Sequence, residues 1–80
     1  MYFVYILENQ AGKLYIGQTV DLSRRLIEHN EIGKGYTSKY RPWVLVWSKG
    51  FITRKESMRE ERYLKTGVGR EWIKKNVLRV

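Results

Sequence analysis

Cysteine is absent from the 80 residues, so neither a disulfide framework nor a thiolate zinc site is available. A hydrophobic core must hold the chain together, and a reducing cytoplasm suits such a composition. Long apolar runs are missing too. The longest, Tyr2 to Leu7 and Trp43 to Trp47, fall far short of the roughly 20 residues that span a bilayer, and no basic region precedes an apolar one as in a targeting segment. The expectation is a soluble, untargeted, cytoplasmic protein without a membrane partner. Histidine occurs once, which removes a histidine pair as a zinc site. No Ser-His-Asp arrangement, Walker glycine loop, internal repeat or low-complexity segment is present. Acidic residues are scarce as well: eight Asp and Glu face sixteen Lys and Arg, for a formal charge of +8.

That excess points to a polyanionic partner, with nucleic acid first among them. A hydrophobic fraction of 42% can supply one core, and the length suits one domain covering residues 1–80. Residues 2 to 8 and 13 to 19 read as two β-branched and aromatic strands of an antiparallel hairpin. A loop at Gln10, Ala11 and Gly12, with Gly12 left-handed, pairs Asn9 with Lys13, Leu7 with Tyr15 and Tyr5 with Gly17. Tyr5 and Tyr15 then share a face, and Gly17 is expected to leave an open space across from Tyr5 where a ligand could approach the backbone.

Asp21 caps a helix through "LSRRLIEHN", which Asn30 and Gly33 end. Arg25 and His29, four apart, project together beside its apolar stripe of Leu22 and Leu26. "EIGKGYTSKYRP" reads as a loop. In it Lys34, Tyr36, Lys39, Tyr40 and Arg41 form a basic, aromatic-interleaved stretch that could follow a nucleic-acid backbone, its tyrosines either stacking bases or folded beneath. "WVLVW" reads as a third strand covered on both faces. Thr53 with Glu56 is a capping box opening a helix through "KESMREERYLKT", which Gly67 should stop. Its inward stripe is read as Met58 and Leu64, with Glu61 between them, an acid that needs a cation on an apolar face. A short last helix follows Gly69, anchored by Trp72 and Ile73.

Two phenols, a glycine, an arginine, a histidine and an inward glutamate make a set that fits phosphodiester hydrolysis. Such hydrolysis needs a metal, a cation for charge building on the phosphoryl oxygens, and a base for water. Glu61 with Mg²⁺, Arg25 and a phenol could meet these needs in turn. Glu61 as a structural partner of Arg25 or Lys65 is the alternative.

The chain resembles the GIY-YIG nucleases, which include homing endonucleases, restriction enzymes and the incision subunit of bacterial nucleotide-excision repair. The resemblance lies in "VYI" at Val4 to Ile6, "YIG" at Tyr15 to Gly17, and Arg25, His29 and Glu61 after them, and it covers nearly the whole chain. It implies a small α/β (α+β) domain with a three-stranded antiparallel sheet flanked by about three helices. It also implies one divalent ion, Mg²⁺ or Mn²⁺, on Glu61. By the same resemblance Tyr15 is the base for water, Arg25 steadies the phosphate, Tyr5 supports, and His29 shuttles a proton or binds phosphate. The implied substrate is nucleic acid, DNA before RNA. Relatives borrow specificity from further domains, so a protein partner could supply it here. Two readings of different class stand at this point: a metal-dependent endonuclease, and a nucleic-acid-binding module with a nuclease-like fold and little catalysis. A small basic ribosomal protein would account for charge and size but not for the polar set.

Overall fold

The computed structural model describes residues 1–32 and 36–78, with Tyr36 described by its backbone only. Three strands, β1 (Tyr2–Asn9), β2 (Leu14–Thr19) and β3 (Trp43–Phe51), form an antiparallel sheet in the order β2-β1-β3. The hairpin forms as the turn chemistry requires. Gly12 takes φ +82°, the Asn9 amide donates to the Lys13 carbonyl, and Asn9 Oδ1 accepts from the Ala11 and Lys13 amides. Tyr5 pairs with Gly17 and Leu7 with Tyr15, the expected register.

As the middle strand, β1 is buried on both faces at Val4, Tyr5, Ile6 and Leu7. Each such side chain contributes about 1.5–3 kcal/mol relative to exposure. Val4 and Ile6 pack with Leu14, Ile16, Trp47 and Phe51 beneath Leu64, Trp72 and Ile73. Tyr5 and Leu7 pack with Tyr15, Trp43 and Leu45 beneath Leu22, Leu26 and Tyr40. Helices therefore cover both faces: α3 (Arg54–Leu64) and α4 (Gly67–Ile73) the first, α1 (Leu22–Ile27) and the single turn α2 (Tyr36–Lys39) the second.

Several local expectations change. β3 runs past Trp47 to Phe51, and it is not covered on both faces throughout, since Val44 is 61% exposed. A bulge against Ile6 and Leu7 leaves Val46 as an extra residue and shifts the alternation, so Leu45 and Trp47 serve opposite faces. α1 passes into a wider π-type turn, Glu28–Ile32, and α4 into another, Lys74–Leu78. The stretch read as a plain loop contains α2. Gly67 begins α4 rather than ending α3, because the Thr66 side chain caps the new helix at the Gly69 amide. A Cβ at Gly69 would meet the Tyr63 carbonyl and Leu64 backbone, so the α3–α4 corner needs glycine there. The Thr53 and Glu56 capping box forms as read.

Candidate active site

Tyr5 stands at the centre of the face that α1 covers. Its phenol, 1% exposed, lies 2.7 Å from His29 Nε2 and accepts from Arg25 Nε at 3.3 Å. A guanidinium can only donate, so the phenol's single proton is free to go to His29 Nε2, and in that arrangement the imidazole carries its own proton on Nδ1. Tyr15 lies beside both rings, its centroid 6.2 Å from that of Tyr5 and 4.7 Å, edge-on, from that of His29. The helical spacing read from the sequence thus brings Arg25 and His29 to the same oxygen.

Gly17 is where the expectation fails. The space across from Tyr5 is not open: an added Cβ would sit 2.7 Å from Tyr5 Oη, 2.9 Å from Tyr5 Cζ and 3.0 Å from Tyr15 Cε1. Tyr5 itself lies over the bare backbone. Glycine is needed because the ring crosses β2 on its way to Arg25 and His29.

Electrostatics follow from this packing. Burial above all pushes the Tyr5 phenol up to about 12; the Arg25 hydrogen bond opposes this, while Tyr15 and Glu61 add to it. Hydrogen bonds to Tyr5 and Glu28 push Arg25 higher still, so its charge is permanent. His29 is lowered by burial first and then by Arg25 and Arg41, with Glu28 opposing, and is neutral at pH 7. Arg25 Nη1 donates to Glu28 at 3.0 Å, while Nη2 and the Tyr15 hydroxyl have no hydrogen-bond partner among the described residues. Two polar groups of the cluster are thus available to a ligand.

Glu61 enters from α3, and Met58 is not its inward neighbour, being 41% exposed. The helix is rotated so that Ser57 faces in, fully buried, with Oγ 2.8 Å from Gln18 Oε1 on β2. A small hydroxyl fits the close approach of helix to strand where a methionine would not. Glu61 lies four residues on, its side chain 20% exposed and its carboxylate accepting from Lys65 Nζ at 2.8 Å. No three His, Cys, Asp or Glu side chains gather among the described residues. A single carboxylate does not suit a caged metal, but it fits Mg²⁺, which keeps its waters and takes one or two carboxylates with substrate oxygens.

Of the residues read as substrate-binding, Lys34 and the side chain of Tyr36 lie outside the described residues. Lys39 is exposed on α2. Arg41 points inward: Nε donates to the His29 carbonyl at 2.7 Å and Nη2 to that of Glu28 at 3.4 Å, which fixes the turn bearing the imidazole. Tyr40 is tucked against Trp43 and Leu7, with Lys13 over its ring. Two supports were not read from the sequence. Glu28 holds Arg25 and also pairs with Arg24, a relation that its i+3 and i+4 spacing could have shown. Asn30 exchanges two bonds with the Trp43 backbone, at 2.6 and 3.0 Å, tying the π-type turn to β3.

A family model described as the GIY-YIG catalytic domain matches residues 1–76. A UPF0213 protein of Streptococcus pneumoniae is 43% identical over 65 residues, 79% of this chain and 65% of its own, so the chain spans just under two thirds of that relative. One from Staphylococcus epidermidis is 37% identical over 75 residues, covering 91% of this chain and 90% of its own. The solution NMR structure of the UPF0213 protein of Bacillus halodurans aligns over 91% of this chain and 82% of its own, with 35% identity and a TM-score of 0.57.

Proposed function

Because the chain belongs to the nuclease-like GIY-YIG catalytic-domain family, we propose that it hydrolyses phosphodiester bonds of nucleic acid, DNA in the first instance, with one divalent cation. The observation that carries this reading is the Tyr5 hydroxyl, to which Arg25 and His29 both reach and at which Glu61 is also felt. Roles divide by what each group has free. Tyr5 is a poor base, with its oxygen engaged twice and its proton held to about pH 12; it positions Arg25 and His29. Tyr15, half-buried and with its hydroxyl uncommitted among the described residues, takes the proton from the attacking water after passing its own phenolic proton to solvent. Arg25, charged at every working pH, presents Nη2 to the phosphoryl oxygens as their charge grows. Neutral His29 keeps Tyr5 in its protonated form and flanks the Tyr15 ring.

Glu61 would hold the cation, Mg²⁺ or Mn²⁺, whose contribution is to polarise the phosphate and stabilise the departing oxygen. Lys65 neutralises the carboxylate when no cation is bound and must release it. Nicking of supercoiled plasmid by two phenylalanine variants tests the division of labour. Tyr15→Phe should lose about 10²-fold or more of the rate with folding unchanged. Tyr5→Phe should lose activity together with stability. Full activity in Tyr15→Phe would overturn Tyr15 as the base.

A further inference from the structure

Charge on α3 is segregated around the helix. Arg54, Lys55, Arg59 and Arg62, with Met58 among them, line a shallow concavity of about 330 Å³, and all five are exposed. Their spacing puts them on one side of the helix. The acids lie elsewhere: Glu56 is engaged in the cap with Thr53, Glu60 is half-buried on another side of the helix, and Glu61, at the border of the row, is paired with Lys65.

None of these four cations makes an ion pair among the described residues, whereas Arg24, Arg25, Lys65 and Lys74 each have a carboxylate. Like charges a turn apart destabilise a helix, and no ion pair among the described residues offsets this row. From Arg54 to Arg62 it runs about 12 Å, a length over which a duplex carries about seven phosphate charges. A row of cations borne on one helix face meets a regular row of anions. Neighbouring Glu61 on the same helix fixes where such a duplex would lie, since one element then carries both the backbone contacts and the candidate cation ligand.

We propose that this face of α3 binds the phosphate backbone of a nucleic-acid duplex beside the cut. The proposal rests on the nuclease reading above and adds a docking surface to the stretch around exposed Lys39, in which Arg41 is turned inward.

Binding is measured by fluorescence anisotropy on short DNA and RNA duplexes in a chelator, so that cleavage plays no part. The triple variant Lys55→Gln, Arg59→Gln, Arg62→Gln should bind at least tenfold more weakly. Its log-log salt slope should be shallower by about 2.7 than wild type on duplex DNA, about 0.9 for each cation removed. A control triple with the same charge change on other elements, Lys13→Gln, Lys49→Gln, Lys75→Gln, should change the slope by less than about one. Circular dichroism confirms folding, which exposed positions should not disturb. Equal slope changes in both triples, or none in the first, would overturn the α3 surface while leaving the nuclease reading standing. Failure of wild type to bind any duplex would overturn both.

Discussion

Gly17→Ala adds one methyl group and should disable the cluster at its centre. The new Cβ would stand 2.7 Å from Tyr5 Oη, so the phenol must retreat about 0.7 Å to reach an ordinary contact of 3.4 Å. It has nowhere to go, since the residue is 1% exposed and packed between Tyr15, Leu7 and Trp43. A shift of that size exceeds the roughly 0.5 Å working range of a hydrogen bond, so the links to His29 and Arg25 cannot all survive. Overpacking costs about 1–3 kcal/mol, and the better strand propensity of alanine returns about 0.5–1 kcal/mol. At the centre of these ranges the net loss is about 1.3 kcal/mol, a fall in Tm of about 5–10 °C for a domain this size. Thermal unfolding by circular dichroism reads it directly. Adding Tyr5→Phe deletes the oxygen whose bonds Gly17→Ala already breaks, although Cζ still stands 2.9 Å from the new methyl, so the double variant should be more stable than the sum of the single losses by about 1 kcal/mol. A Gly17→Ala protein as stable as wild type, or strict additivity in the cycle, would refute the reasoning.

Two further outcomes follow from the same geometry. His29 has a folded pKa below its unfolded value of about 6.5, so its contribution is complete above that pH and is lost as the pH falls toward the folded value. Denaturant unfolding between pH 5 and 7 should show wild type weakening on acidification and His29→Gln nearly flat, whereas parallel curves would contradict the neutral imidazole. Asn30→Ala removes both bonds to the Trp43 backbone and should cost about 2 kcal/mol in urea unfolding; a change below about 0.5 kcal/mol would show that the π-type turn is held otherwise.

The hairpin was legible because its turn is chemically specific. Asn9 and Gly12 set the loop, and the loop set every partner up to Tyr5 and Gly17. Arg25 and His29 were legible because i and i+4 share a helix face. What lay across from Gly17 was not, because a missing side chain is compatible with a void or with a neighbour's ring, and only packing chooses. The Met58 reading failed for a related reason. Hydropathy favours methionine inward, but the short distance from α3 to β2 admits only Ser57, whose hydroxyl meets Gln18. The bulge beside Ile6 and Leu7 follows from pairing between distant strands, and the inward turn of Arg41 follows from carbonyls that the π-type turn exposes. Neither leaves a mark in local spacing.

The most direct test of the central claim is plasmid nicking with Mg²⁺ or Mn²⁺ by wild type and Glu61→Gln, alongside duplex binding by both. Cleavage by wild type that a chelator abolishes, lost in Glu61→Gln while folding and binding stay within a few-fold, is the predicted result. Undiminished nicking by a folded Glu61→Gln protein, or cleavage indifferent to the chelator, would contradict it.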